Sequence, residues 1–318
     1  MKNHISLFIF AIALLSGPVS ANDLSMTAVK DTLASIPGEH NYIYVRTPLG
    51  EDEEKNYDEI TFYDGLGREL DFAQSYGADR AGAIMAHHHL IEYDSLGRKE
   101  KQWLSTNTSF SYMSPEDLKG GVLWDYHDAG KRSYLQTNYE SSPLNRITEQ
   151  YGVGDAWGDH PARMEYLTNI PADSLRCSFY FIDDNDSLIR RGDYRSGELQ
   201  VTKATDEDGK PTYTFVDKQG RTLLTRLGRG NQQADTYFVF DRFGRIRYVL
   251  PPMINDEISA GNLDLYAYQY LYDSFGRCIS KKLPGCAAIG YVYDKADRVI
   301  LSQNGNQSQK KEWTFTFY

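Results

Sequence analysis

Three consecutive histidines, His87-His88-His89, are the densest set of metal-capable side chains in this 318-residue sequence. A zinc or copper site needs three or four such ligands converging on one point. In an extended strand His87 and His89 project to one face and His88 to the other, and no carboxylate or cysteine stands beside them at ligand spacing. The tract reads as a polar sheet face. Asp183-Asp184-Asn185-Asp186-Ser187 opens like a calcium loop, but the glycine such a loop needs would be Leu188 and its closing glutamate would be Tyr194. It reads as a hairpin turn. Gly152-Val153-Gly154 and Gly228-Arg229-Gly230 lack the strand-to-helix setting in which glycines cradle phosphate. His127-Asp128 and Asp159-His160 are sequence neighbours, and adjacency does not aim a base at a nucleophile. No Gly-x-Ser-x-Gly elbow, His-Glu-x-x-His helix or Cys-x-x-Cys pair occurs. The sequence therefore offers no catalytic, cofactor-binding or metal-binding residue, and the chain is expected to be no enzyme.

What recurs instead is a phrase suited to architecture. It reads Tyr63-Asp64-Gly65-Leu66-Gly67-Arg68, Tyr93-Asp94-Ser95-Leu96-Gly97-Arg98 and Val216-Asp217-Lys218-Gln219-Gly220-Arg221. It returns as Phe240-Asp241-Arg242-Phe243-Gly244-Arg245, Tyr272-Asp273-Ser274-Phe275-Gly276-Arg277 and, with Asp for Gly, Tyr293-Asp294-Lys295-Ala296-Asp297-Arg298. Asp opens a type I turn and Gly supplies the left-handed residue that follows it, which together make a three-residue hairpin loop. Asp297 fits because Asp tolerates positive φ better than most residues. Each Asp then stands across the ladder from its Arg. Counting outward pairs Phe240 with Ile246, Phe238 with Tyr248 and Thr236 with Leu250. It likewise pairs Tyr293 with Val299 and Tyr291 with Leu301, and sets Ile60 and Phe62 against Phe72 and Leu70. A repeat of this kind is one supersecondary unit stacked on its neighbours. The fold expected is all-β, a large curved or spiralling antiparallel sheet of successive hairpins.

The composition agrees. Tyrosine is abundant, with 24 copies, as aromatic-rich strands require. A formal charge of −10 and a pI near 5.2 exclude nucleic acid as an expected partner, since phosphates need a basic face. Lys2, the apolar run Ile5–Leu15 and the small residues Val19-Ser20-Ala21 form a signal peptide with cleavage expected after Ala21. The run is too short to span a bilayer. The mature chain is expected to be exported, to the periplasm, the outer surface or the medium, without a transmembrane segment. Cys177, Cys278 and Cys286 are too few for a disulfide scaffold. They leave open a Cys278–Cys286 bridge or buried free thiols, and the second is preferred.

The domains expected are a signal peptide at 1–21, an N-terminal β domain at 22–165 and a repeat sheet at 166–318, truncated at its C-terminal end. Within them, Asp23–Ser35 reads as a short helix or tether and Glu51–Lys55 as a charged hairpin tip. Residues from Thr106 to about Tyr166 read as a non-repeating excursion from the sheet.

At these repeats the chain resembles the YD-repeat proteins of the RHS class, in particular bacterial members with an uncharacterised domain before the repeats. The segments that carry the likeness are Asn41–Tyr44, Tyr63–Arg68, Glu140–Arg146, Arg247–Pro252, Lys281–Gly285 and Tyr293–Arg298. The resemblance implies a hollow shell of spiralling sheet, which in relatives encloses or presents a C-terminal cargo, often a toxin. The chain stops at Trp313-Thr314-Phe315-Thr316-Phe317-Tyr318, so the expectation is an incomplete shell with its cargo absent and an unprotected final strand. The function expected is a non-enzymatic exported scaffold. Its partners would be a separate RHS-like C-terminal part, a cargo or a surface glycan. The competing expectation is a surface-binding module for glycan or protein, which a solvent-facing cluster of Trp103, Trp124 or Trp157 would favour, whereas burial of all three would favour the scaffold.

Overall fold

In the computed structural model each Asp-x-x-Gly-Arg phrase closes an antiparallel hairpin. The structure describes residues 33, 36, 40–48, 56–78, 84–228, 233–254 and 256–318. The signal peptide, most of the Asp23–Ser35 stretch, the Glu51–Lys55 tip, Arg229 and Gly230 lie outside these. The chain divides into two compact units, Met1–Pro161 and Ala162–Tyr318. The strand beginning at Ala162 pairs with Gln200–Thr205 of the second unit.

Unit 1 contains β1 (Asn41–Pro48), β2 (Asn56–Tyr63), β3 (Glu69–Ala78), β4 (Ile84–Tyr93), β5 (Lys99–Trp103), β6 (Thr106–Ser109), β7 (Tyr134–Tyr139) and β8 (Ile147–Tyr151). β1 to β4 form a meander. The outer edge of β4 then splits: its first half pairs with β6 and its last residues with β5. β5 continues to β7, and β7 to β8. The region expected to leave the sheet therefore rejoins it. It also holds α1 (Pro115–Asp125), announced by the Ser114 cap, Pro115 at the first helical position and Glu116 and Asp117 in the first turn. The core gathers Tyr44, Ile60, Phe62, Ala73, Ala86 and Phe110.

Unit 2 contains β9 (Ala162–Thr168), β10 (Ser178–Ile182), β11 (Leu188–Asp193), β12 (Gln200–Thr205), β13 (Pro211–Val216), β14 (Thr222–Leu227), β15 (Ala234–Phe240) and β16 (Ile246–Leu250). It continues with α2 (Ala260–Tyr266), β17 (Tyr268–Tyr272), β18 (Cys278–Lys282), β19 (Ile289–Tyr293), β20 (Val299–Gln303), α3 (Gly305–Lys310) and β21 (Thr314–Phe315). β9 pairs with β12, and from β12 to β21 every strand pairs with the next. β10 and β11 form a separate hairpin, packed through Tyr180 and Leu188 onto Tyr213, Phe215, Leu224 and Tyr237 of the large sheet.

The turns follow the expected chemistry, but the strands beyond them do not follow the expected count. Phe240 does face Ile246 and Tyr293 does face Val299. One residue farther out the register slips: Val239 faces Tyr248, Tyr237 faces Leu250, Val292 faces Leu301 and Ile60 faces Ala73. In each case the residue two places after the turn arginine is unmatched, as Leu70, Glu100, Leu223, Arg247, Ile279 and Ile300 are. Such a bulge rotates the strand locally. It allows the consecutive Leu223 and Leu224 both to be buried, which strict alternation forbids.

Gly97 and Gly220 share a backbone conformation, at φ +81 and +79, but not surroundings. A Cβ at Gly220 meets open space, whereas one at Gly97 would lie 3.1 Å from Nη1 of Arg68. Gly220→Ala should cost about 1–2 kcal/mol for the left-handed backbone alone. Gly97→Ala should cost distinctly more, because it also displaces an arginine of the neighbouring hairpin. Urea midpoints of the two variants check this, and equal losses would show that the neighbouring arginine is indifferent to the turn.

Candidate functional site

The recurrent side chains form one unit repeated along the sheet. In the first copy Oδ1 of Asp64 accepts the N–H groups of Leu66 and Arg68, at 2.8 and 3.0 Å. Its Oδ2 accepts Nε of Arg68 at 2.7 Å. The same three bonds recur at Asp94, Asp217, Asp241, Asp273 and Asp294. The aspartate thus organises the turn and at the same time fixes the direction of the arginine.

The arginine so fixed reaches the next hairpin. The guanidinium of Arg68 lies 4.5 Å from the ring centre of Tyr93, that of Arg98 4.7 Å from Tyr139, and that of Arg245 4.9 Å from Tyr272. Arg277 stands 5.0 Å from Tyr293. Nη1 of Arg98 also donates to the carbonyl of Glu140, and the Nη1 groups of Arg245 and Arg277 to those of Asp273 and Asp294. The tyrosine answers: Tyr93 donates its hydroxyl to the carbonyl of Glu69, Tyr139 to Lys99 and Tyr293 to Cys278, each the residue after the stacked arginine. Arg298 and Tyr318 repeat the arrangement, at 5.0 Å with a bond to the Val299 carbonyl. From the second copy on, the phrase begins with an aromatic residue on which the preceding arginine rests, as at Tyr93, Phe240, Tyr272 and Tyr293. Val216 is the exception, and it faces Gln200 on β12, where no turn arginine precedes it. Glu140–Arg146 is a longer version, with Glu140 accepting Nε and Nη2 of Arg146 at 2.7 and 2.6 Å and Asn145 at positive φ.

The residues weighed for chemistry are dispersed. His88 is buried in unit 1, with Nδ1 2.6 Å from Oδ2 of Asp71 and Nε2 2.9 Å from the Ser109 carbonyl. A carbonyl only accepts, so Nε2 carries a proton, and neither nitrogen is open to a metal. His87 stacks on Tyr76 and His89 lies against Phe72. The tract is thus a polar pair in the core on one face and aromatic packing on the other, which corrects the expected polar face. Among the described residues no three His, Cys, Asp or Glu side chains converge as a metal site. Asp183–Ser187 is the hairpin turn between β10 and β11, with Asp186 at positive φ. Gly154 turns the chain by donating to the Arg132 carbonyl, and Gly228 donates to Pro211. His127 and Asp128 are exposed beside each other. All three cysteines are free; Cys177 is buried as expected, but Cys286 is exposed.

Three buried polar contacts escaped the sequence, because their partners are far apart along the chain. Arg226 gives Asp235 two bonds and donates Nη1 to the carbonyls of Ser174 and Arg176. Arg247 holds Asp186 and donates Nε to the Tyr270 carbonyl. Tyr44 and Arg46 both donate to the fully buried Asp58. Of the tryptophans, Trp124 is 83% and Trp157 45% exposed, while Trp103 is half-buried, 4.7 Å from the Tyr134 ring and donating to Glu92.

Residues 41–168 match a family described as a domain of unknown function, DUF6443. No curated protein sequence matches the chain. Among solved structures it is similar to TcdB2-TccC3, at 13% identity and a TM-score of 0.52 over 92% of this chain and 14% of that one. It is also similar to the TcdB2-TccC3-Cdc42 structure, at 14% identity and a TM-score of 0.53 over 83% of this chain and 12% of that one. The likeness to these structures is one of fold. The chain spans about an eighth of the length of the chains it matches, and among the described residues no helix is long and apolar enough to cross a membrane.

The turn carboxylates set a pH dependence. The backbone N–H of the paired arginine is the main influence holding Asp64 and Asp294 below the ordinary aspartate value. For Asp94, Asp217, Asp241 and Asp273, burial pushes upward most strongly, but the arginine N–H, guanidinium and loop N–H together outweigh it. Arg146 holds Glu140 down at about 2. A carboxylate with a depressed folded value binds fewer protons folded than unfolded, so its contribution is complete above the unfolded value and is lost as pH falls. The urea midpoint should therefore drop steadily between about pH 5 and pH 2, and Asp94→Asn should flatten that drop. A midpoint constant across this range would contradict the assignment.

Proposed function

We propose that the chain is a non-enzymatic, exported structural segment: a stretch of RHS-like wall that works beside a separate component. The observation that carries this reading is the turn arginine passed to an aromatic ring of the next hairpin, and by Arg98, Arg245 and Arg277 also to its backbone carbonyl. It uses the polar residues of the repeat for cohesion, where an enzyme would hold them in a convergent site. The RHS-like fold supports it, since shells of that class enclose or present a cargo. One of the similar structures is of TcdB2-TccC3 without its hypervariable C-terminal region, and the share of that chain matched here supports a role as one part among several. Export is supported by Lys2, Ile5–Leu15 and Val19-Ser20-Ala21. A second reading, a surface-binding module for glycan or protein, is favoured by the exposure of Trp124 and Trp157.

Fractionation of the native host with mass spectrometry of the recovered protein tests the exported role. The expected mature N-terminus is Asn22, in the periplasmic, surface or secreted fraction. Cytosolic protein retaining Met1 would overturn it.

A further inference from the structure

Unit 2 contains a cleft that the wall does not need. It lies between the β10–β11 hairpin, the segment after β11 and the Asp217–Arg221 turn, with a volume of about 650 Å³, and its walls include Phe179, Arg191, Tyr194, Arg195 and Lys218. A second hollow of about 330 Å³ shares Phe179, Tyr194 and Arg221 with it and adds Arg242. These are the dimensions of small-molecule sites.

The charges of this cleft do not cancel. Asp217 is held by Arg221 at 2.6 Å and Asp241 by Arg245 at 2.8 Å. Asp193 faces Arg190 and Arg176 at 3.5 and 3.9 Å. Glu198 accepts the backbone N–H of Arg195. Arg191, Arg195, Lys218 and Arg242 remain without a carboxylate partner among the described residues, against the single acid Glu198. A local positive excess on a chain of formal charge −10 is the reverse of what solubility alone would place there, and a concave site concentrates such a field.

The remaining wall is aromatic. Phe179 stacks on Phe181 at 5.5 Å and meets the ring of Tyr194 edge-on at 4.8 Å, and the Arg191 guanidinium lies 5.1 Å from the Phe181 ring centre. Cations beside ring faces suit a ligand carrying carboxylates on a body with an apolar face. A pyranose acid has both, its C–H face packing on an aromatic ring while its carboxylate takes a guanidinium fork. A volume of about 650 Å³ has room for a few sugar rings, which favours a short saccharide over an extended polyanion.

We infer that this cleft binds a short acidic saccharide, with Arg195 and Lys218 taking carboxylates and Phe179 and Tyr194 packing against the sugar face. The inference does not rest on the scaffold reading, and its failure would leave that reading intact.

Calorimetric titration of the full mature chain tests it, with trigalacturonate and a hyaluronan tetrasaccharide as probes and maltotriose as the neutral control. At least one acidic probe should bind saturably, about tenfold tighter than maltotriose, and weaken about fivefold between roughly 50 and 300 mM salt. Arg195→Glu with Lys218→Glu should abolish binding at an unchanged urea midpoint, and Phe179→Leu should weaken it. Should the double variant lose its fold, the salt response and the neutral control still decide. No saturable binding of either acidic probe would overturn the inference. So would equal binding of maltotriose, or binding that survives in a folded double variant.

Discussion

The structure depends on one constraint, the fixed direction of the arginine that closes each turn. A guanidinium is planar and presents its donors in a fork. Once the turn aspartate has taken Nε and one Nη, the remaining Nη and the flat face can point only along the sheet, at the next hairpin. There they meet a tyrosine ring and a carbonyl, as Arg98 meets Tyr139 and Glu140. One aspartate therefore does two things, shaping its own loop and coupling that loop to its neighbour. An isolated two-stranded hairpin is marginal in water, and this coupling is repeated where the sheet most needs it, at the turn edge.

Away from that edge the two units solve the same problem with different buried groups. Unit 1 places two carboxylates in its interior, Asp58 under Tyr44 and Arg46 and Asp71 against His88. Unit 2 buries the cation, Arg226 being only 2% exposed among Asp235 and two carbonyls. In both, the partners arrive from separate strands, so the bonds form only when the register is right. Removing one partner from such a pair is costly, because the other remains buried and unpaired.

The sequence revealed the turns almost completely, since Asp, Gly and Arg at fixed spacing state their own local geometry. It did not reveal the bulge after each turn. Hydrophobic alternation reports faces, and one unmatched residue such as Leu223 shifts every later pair without changing residue type. Glu140–Arg146 hid as a turn because its loop is longer and its acid is Glu, though it does the same work. The reason for tyrosine before aspartate was also invisible, because its arginine sits in the previous repeat: Tyr93 and Arg68 are neighbours only once β3 and β4 pair. His88 gave no sign of its partner, since Asp71 lies on the adjacent strand.

Hydrogen exchange of the Arg98→Lys variant tests the central claim most directly. Lysine keeps the charge and loses the fork, so the turn can survive while the reach to Tyr139 and the Glu140 carbonyl is lost. Amides of both the Ile84–Trp103 and the Tyr134–Tyr151 hairpins should exchange faster, by about tenfold, if each hairpin draws its protection partly from the arginine before it. Faster exchange confined to Asp94–Arg98 and its own two strands, with Tyr134–Tyr151 unchanged, would show that the hairpins stand independently and that the arginine serves only its own turn.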